Sequence, residues 1–181
     1  METYNIQEYL PHLLGFFPVT TEQGGNDTEL WLRDGRKICV PKKTKTVLKD
    51  LAQVFAKDLS LVKRQAGQVL GYKRELPLLL TLDLVLIPVK VREASFKDQG
   101  TVGYCFYRGV ETVQPLKEGR FKSALIFKNE QVLFTLNTVQ KLRQKLSEAR
   151  ELLNYESRRL EWLQFKAISQ CAEITLEKYH V

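Results

Sequence analysis

Two segments of the chain combine a strand–turn–strand pattern with a helical pattern in the same order. The first has TELWLR and RKICV on either side of Asp34-Gly35, followed by a helical segment at 46–58. The second has KSALIF and QVLFTL around residues 128–130, followed by a long helical segment that begins near Asn137 or Thr138. Short polar turns between apolar runs predict hairpins. The two units lie about 94 residues apart, which indicates either an internal duplication or common hairpin chemistry.

The remaining segments are mostly typical of strands. We predict strands at 10–19, in a short segment at 61–72, at 77–91 with a break near Leu82-Asp83, and at 101–113. Hydrophobic residues make up 44% of the 181, enough to bury a core. The predicted fold is α+β and β-rich, with hairpins, one short helix and a long C-terminal helix. We expect a single compact domain over 1–181, with two pseudo-repeated lobes at about 10–91 and 101–181 if the duplication is real.

Positive charge is concentrated in one part of the chain. The formal net charge is +7, and the segment 36–74 holds eleven basic and two acidic residues, a net +9. The other 142 residues are therefore slightly acidic, at −2. A basic block of this kind predicts a surface that binds a polyanion, most often nucleic acid. The alternative is a solvated basic face with no partner.

The lysines at the start of the first predicted helix oppose its dipole. Apolar residues at Val47, Leu48 and Leu51 have helical spacing, and Thr44 or Thr46 is the expected N-cap. Lys42, Lys43 and Lys45 therefore lie at the positive end of the helix, where cations are unfavourable by a few tenths of a kcal/mol. A bound phosphate would use both the ammonium groups and the free backbone N–H groups. These lysines are candidate phosphate contacts.

The sequence lacks the usual residues of an active site. Its two histidines are at opposite ends, its three cysteines form no CxxC pair, and no phosphate-binding glycine loop or nucleophile motif occurs. We expect no enzymatic activity, no metal and no cofactor. Cys105 lies in an aromatic strand pattern and is expected to be a core residue. The absence of a signal peptide or membrane-spanning run, together with unpaired cysteines, predicts a cytoplasmic protein.

Four segments follow one another along the chain: KRQAGQVLGYKRELPLLL (63–80), LVLIPVKVREAS (84–95), GYCFY (103–107) and SALIFKNEQVLFTLNTVQKLRQKLSEARELL (123–153). Together they resemble the ComK family of competence transcription factors. Four family motifs have counterparts here: a GRKxGT-like segment, a Phe-Phe-Pro-Thr-like segment, a Cys-x-Trp-Ile-like strand, and a TxIxFxNGxxLxLxxS run followed by a helix with a QL pair. They correspond to Arg64, Ala66 and Gly67 with Pro77, to Leu86 to Val89, to Cys105 to Tyr107, and to Ser123 to Asn129 with Gln144 to Leu146. The resemblance covers about residues 10–155.

The chain departs from the family pattern at three of these places. The hairpin glycine is Glu130, the tryptophan is Phe106 and the threonine is Val89. From about Tyr155 onward no family segment is matched, so regulated proteolysis is not implied. The first unit also resembles a LytTR-type DNA-binding domain through ELWLRDGRKICVPKKTKTVLKDLAQVF.

Both resemblances imply DNA binding. The ComK resemblance implies recognition of A·T-rich promoter boxes in double-stranded DNA, largely through the minor groove, and recruitment of RNA polymerase. Cations that enter a narrow minor groove or hold its flanking phosphates suit that role. The candidate DNA-binding residues are Lys42, Lys43, Lys45, Lys63, Arg64, Lys73 and Arg74. The alternative is a non-enzymatic basic interaction module that binds RNA, anionic lipid or an acidic protein.

The end of the long helical segment predicts self-association. Trp162, Phe165 and Ile168 continue the apolar pattern beyond the length that one sheet would cover. A helix packed on a sheet remains the simpler interpretation of its first turns. We expect a homo-dimer or higher oligomer formed through the later turns.

Overall fold

A computed structural model describes residues 4–20, 26–95, 99–117 and 119–178, with side chains in the last helix described to residue 169. The fold is α+β and β-rich, as predicted. The helices are α1 (Ile6–Tyr9), α2 (Thr44–Val54), α3 (Leu59–Leu70) and α4 (Val139–Lys178). The strands are β1 (Leu13–Thr20), β2 (Asn26–Leu32), β3 (Lys37–Val40), β4 (Leu78–Thr81), β5 (Leu84–Lys90), β6 (Val102–Phe106), β7 (Val110–Pro115), β8 (Ser123–Phe127) and β9 (Val132–Thr135).

The strands form two antiparallel sheets. The larger sheet has the order β3-β2-β1-β6-β5-β4, and the smaller one the order β7-β8-β9. Both predicted hairpins are confirmed: β2 pairs with β3, and β8 pairs with β9. Gly35 takes a φ of 89° in the first turn. In the second turn Glu130 occupies the left-handed region, which glycine adopts more readily, with a φ of 68°.

The large sheet is buried on both faces. Alternate residues of a strand point to opposite faces, so Phe16 packs with α2 while its neighbour Phe17 packs with the small sheet and α4. On the α2 side, helix residues spaced by three and four, including Val47, Leu48 and Leu51, complete the core. On the other side, Phe127 lies 6.5 Å from Phe17 between ring centroids. The molecule therefore has three layers, with the large sheet in the middle.

The prediction for residues 61–72 is wrong, because they form most of α3 rather than a strand. Asp58 caps this helix, accepting hydrogen bonds from the backbone N–H of Ser60 and Leu61 at 2.7 and 2.9 Å. Gly71 ends it in the left-handed conformation. The buried residues Val62 and Ala66 are four apart, a helical spacing. Two glycines and several β-formers in this segment concealed that spacing.

Other boundaries also differ from the predictions. Lys43 rather than Thr44 or Thr46 is the N-cap of α2, and no side chain caps this end. The helix stops at Val54 instead of continuing to 58, since Ala56 adopts a φ of 51°. The strand expected at 101–113 is divided by a 3₁₀ turn at Tyr107–Gly109. By contrast, the strand break at 82–83 and the start of α4 are confirmed.

The division between the sheets differs from the division between the predicted lobes. β6 follows residue 101 in sequence but lies between β1 and β5 in the large sheet. The second hairpin–helix unit forms the small sheet and α4. Internal duplication stays a prediction. Within the described ranges, none of the helices combines the length and apolar character needed to cross a bilayer.

Candidate nucleic-acid interface

Three of the predicted site residues line a single surface groove. Lys63 and Arg64 lie on the exposed side of α3, and Lys73 lies on the loop that joins α3 to β4. We call this concavity of about 530 Å³ the basic groove; it is lined by Lys63, Arg64, Gly67, Gln68, Gly71, Tyr72 and Lys73. These described lining residues include no acidic side chain. The groove therefore presents uncompensated positive charge in a concave site.

Gly67 allows the α3–β4 loop to approach the helix closely. A Cβ at this position would lie 2.9 Å from the backbone oxygen of Tyr72, closer than real contacts permit. Residues 63, 67 and 71 follow one another at intervals of four along α3 and so lie on one side of it. The two glycines leave this side without side chains beyond Lys63. The floor of the groove is therefore formed by the backbone at Gly67 and Gly71, where no side chain fills the space.

The α3–β4 loop is attached to α4 on both sides of Lys73 and Arg74. Before them, the hydroxyl of Tyr72 donates to Oε2 of Glu148 at 2.5 Å. After them, Oε2 of Glu75 accepts from Nζ of Lys141 at 2.9 Å and of Lys145 at 3.1 Å. The two cations are therefore carried on a short segment that is held at each end.

Neighbouring charges and burial shift the pKa values of Glu75 and Lys145, two of the groups that attach the loop to α4. Hydrogen bonds from Lys141 and then from Lys145 lower the pKa of the Glu75 carboxyl, against the opposing effect of its partial burial. Burial lowers the pKa of the Lys145 ammonium, which the Glu75 carboxylate partly offsets. Glu75 also adopts a φ of 51°, in the left-handed region that non-glycine residues rarely occupy. A strained residue held by two ion pairs is typical of a position fixed by its surroundings.

Arg74 lies beside the basic groove in a second concavity. This concavity of about 300 Å³ also includes Tyr72, so the two share a wall. In the described part of the chain, neither Arg74 nor any of the three groove cations forms an ion pair. The charges of the three groove cations are therefore available to an external anion, whereas Arg74 shares its concavity with the carboxylates of Glu75 and Glu148.

Lys42, Lys43 and Lys45 form a separate group at the start of α2. Nζ of Lys42 lies 3.0 Å from Oδ2 of Asp50 and 4.4 Å from the ring centroid of Tyr4. Lys43 and Lys45 are exposed. Lys42 is thus already paired within the protein, whereas the other two point to solvent.

The threonine expected to cap α2 has a different role. The Thr44 side chain is buried, and its Oγ1 lies 3.1 Å from Oγ1 of Thr28. Thr28 in turn donates to the carbonyl of Lys42 at 2.7 Å. The hydroxyls therefore join the start of α2 to β2, which leaves the first N–H groups of the helix without a side-chain acceptor.

Comparison of the chain with protein-family models, with curated proteins and with solved structures finds no match. Within the described residues, no three His, Cys, Asp or Glu side chains are grouped as a metal site would require. Cys105 is fully buried, and burial raises the pKa of its thiol to about 12. A protonated, enclosed thiol is a poor nucleophile.

Sequence reasoning identified the groove cations but missed what positions them. Tyr72, Glu75, Lys145 and Glu148 were not predicted, because their contacts join residues 70 or more positions apart. Lys63 and Arg64 were placed on a strand-like segment instead of a helix. Asp58 and Gly71, which cap α3 at its two ends, were the local signals that would have indicated the helix.

Proposed function

We propose that the protein is a DNA-binding transcriptional regulator of the ComK type, which binds A·T-rich promoter boxes largely through the minor groove. The observation that carries this proposal is the convergence of Lys63, Arg64 and Lys73 around the basic groove. These cations have no acidic partner in the described chain, so they keep their full attraction for phosphate. We infer that the protein is not an enzyme and acts in the cytoplasm without a cofactor.

The helix and the loop have different parts in this proposal. Lys63 and Arg64, on the exposed side of α3, contact phosphates and set the position of the protein on the duplex. Lys73 and Arg74, on the attached loop, reach into the minor groove, where a narrow A·T tract attracts basic side chains. Because the loop is held by Tyr72 and Glu75, its backbone does not have to be ordered when these side chains bind, which lowers the entropic cost of binding.

The start of α2 supplies a second set of phosphate contacts. Lys43 and Lys45 are exposed there, and the first N–H groups of the helix have no side-chain cap. Backbone N–H groups and ammonium groups together suit a phosphate. Lys42 contributes only if it leaves Asp50, so its contribution is expected to be smaller.

Self-association through α4 completes the proposal. Side chains of α4 are buried as far as Leu152, whereas Trp162, Phe165 and Ile168 are 56%, 70% and 70% exposed. These three residues are spaced three apart and lie within an arc of about 120° around the helix, so they form one broad apolar face that a partner helix would cover. We infer a homo-dimer or higher oligomer that binds repeated half-sites and contacts RNA polymerase.

A salt titration on two duplexes tests the proposal. An A·T-rich duplex and a G·C-rich duplex of equal length are titrated with the full chain at several salt concentrations. We expect tighter binding to the A·T-rich duplex and a fall in log K with log salt of about 0.9 per phosphate contacted. Equal affinity for both duplexes refutes sequence-selective binding.

Charge-matched variants locate the site. The variant K63A/R64A removes one lysine and one arginine from the groove, and K128A/R150A removes the same charge from exposed positions elsewhere. We expect the first to weaken duplex binding and reduce the salt slope by nearly two, and the second to leave the slope almost unchanged. If both weaken binding equally, the attraction is a bulk effect. Tighter binding to RNA or to anionic vesicles than to the duplex would favour the basic interaction module.

A further inference from the structure

The outer face of the small sheet carries exposed apolar side chains. Along β9, Leu133 and Thr135 are buried against the core, while Val132 and Phe134 point outward and are 41% and 49% exposed. No helix or strand in the described part of the chain covers this face. Exposed apolar side chains that lie next to one another on one face offer a surface whose burial against a partner would gain hydrophobic free energy.

Two aromatic rings form a platform at this face. The rings of Phe121 and Phe134 are stacked, with centroids 5.8 Å apart and an interplanar angle of 29°. Opposite Phe134 on β8 is Ala124, a small residue that is itself buried, while the Phe134 side chain remains 49% exposed. On Phe121, the guanidinium carbon of Arg120 lies 4.7 Å from the ring centroid. The platform therefore combines flat apolar surface with a cation at its edge.

A concave basic surface adjoins the platform. Phe121 lies on the wall of a concavity of about 580 Å³, together with Lys90, Arg92, Glu93, Arg120 and Lys122. Lys90 is paired with Glu93 at 2.7 Å. Arg92 donates to the carbonyl oxygen of Gly100 at 2.6 Å, so it is also engaged. Arg120 and Lys122 form no ion pair with any described residue.

Stacked rings beside unpaired cations match the chemistry of a nucleotide with an unpaired base. A base stacks on an aromatic ring by its π-face, and its phosphate binds an adjacent cation. A duplex does not offer this contact, because its bases are already stacked on one another. An acidic protein would use Arg120 and Lys122 but not the open ring of Phe134. A second copy of this chain would bring the same cations together.

We propose that the Phe121–Phe134 platform and the adjoining concavity bind single-stranded nucleic acid, with a base on Phe134 and phosphates on Arg120 and Lys122. This site is distinct from the basic groove in its residues and does not depend on the proposed regulator function. The platform belongs to the small sheet, whereas the basic groove belongs to α3 and its loop.

The test measures binding of a fluorescently labelled oligo(dT) strand to the full chain by anisotropy. Phe134→Leu keeps an apolar side chain and removes the π-face, and Val132→Leu is a matched control on the same strand and face. We expect Phe134→Leu to weaken oligo(dT) binding about fivefold or more, and the control to bind like the unmodified chain. Unchanged binding by Phe134→Leu overturns the proposal. Equal melting temperatures exclude a folding defect, since both side chains are exposed.

Two further probes separate stacking from charge. Inorganic polyphosphate carries phosphates without bases, so Phe134→Leu should bind it as well as the unmodified chain does. An equal loss for polyphosphate and oligo(dT) overturns the stacking role. Lys122→Ala should weaken oligo(dT) binding more than Lys128→Ala, an exposed lysine at the β8–β9 turn. Equal effects of the two lysine variants overturn the placement of phosphate at Lys122.

The two proposals fail independently in these assays. K63A/R64A should lower duplex binding and retain oligo(dT) binding, whereas Phe134→Leu should do the reverse. If K63A/R64A abolishes oligo(dT) binding while Phe134→Leu does not, the single strand binds at the basic groove and the platform proposal is wrong. Free dTMP that competes as well as oligo(dT) at equal nucleotide concentration would also overturn binding of a strand.

Discussion

The ammonium of Lys145 donates to Oε2 of Glu75 at 3.1 Å, and the Lys145 side chain is only 4% exposed. It also donates to the carbonyl of Pro88 at 2.9 Å. One buried lysine of α4 therefore joins the α3–β4 loop to β5. The same Glu75 oxygen accepts from Lys141, whose side chain is 50% exposed. This arrangement provides two lysines with a common acceptor and very different burial.

The two lysines are expected to differ in their effect on stability. Lys145→Met leaves the Pro88 carbonyl buried without its donor, which costs about 1–3 kcal/mol of unfolding free energy. Lys141→Met removes only a solvent-screened ion pair and should cost less than about 1 kcal/mol. Denaturant titration with an unchanged m-value measures both. Equal losses would show that burial of Lys145 has no energetic consequence.

The raised pKa of Cys105 predicts a loss of stability in alkali. In the unfolded chain the thiol has its ordinary pKa of 9.0, whereas burial in the folded protein raises that pKa to about 12. The folded state therefore holds more protons in this window, and stability falls as pH rises from about 9. Denaturation midpoints at pH 8 and pH 10 measure the fall, which should be smaller in Cys105→Ala. A fall of the same size in the variant would assign it to other groups.

Accessible and buried thiols should also differ in reactivity. Cys39 is exposed and Cys105 is fully buried. We expect iodoacetamide to alkylate Cys39 in the folded protein, and Cys105 only after denaturant is added. Peptide mass spectrometry distinguishes the two sites. Early modification of Cys105 would indicate that the large sheet opens under native conditions.

Gly67→Ala should disturb the basic groove more than the fold. The added Cβ meets the Tyr72 backbone oxygen at 2.9 Å, so the loop that carries Lys73 must move. Alanine favours the helix by roughly 1 kcal/mol, which offsets part of the clash. We expect a small change in unfolding free energy together with weaker duplex binding. Ser60→Ala, an exposed position on the same helix outside the groove, is the control, and equal binding by both variants would contradict the prediction.

The exposed end of α4 should determine the oligomeric state. Replacing both Trp162 and Phe165 with Glu removes two exposed apolar side chains and changes little in the core, since neither is buried. Light scattering of the unmodified chain should give a mass above that of a monomer, and the double variant should be monomeric. A monomeric mass for the unmodified chain would count against self-association through α4.

Local sequence patterns predicted the turns, strand breaks and helices that a few neighbouring residues determine. The Asp34-Gly35 turn, the break at Leu82-Asp83 and the long α4 could each be predicted from a few neighbouring residues. The convergence of Lys63, Arg64 and Lys73 could not, because it depends on α3 being a helix and on Gly67 admitting the loop. The attachments from Tyr72 to Glu148 and from Glu75 to Lys145 join distant residues, which no pattern along the chain reveals.

The position of β6 has a consequence for how the chain folds. Gly15 of β1 pairs with Cys105 of β6, and Cys105 also pairs with Ile87 of β5. The large sheet is therefore completed only when a strand some 90 residues from β1 arrives, a non-local step expected to be slow. A fragment ending before residue 102 would contain every lining residue of the basic groove but would lack α4, to which the loop carrying Lys73 is attached. It would also leave β1 and β5 as open sheet edges, prone to pairing with other chains.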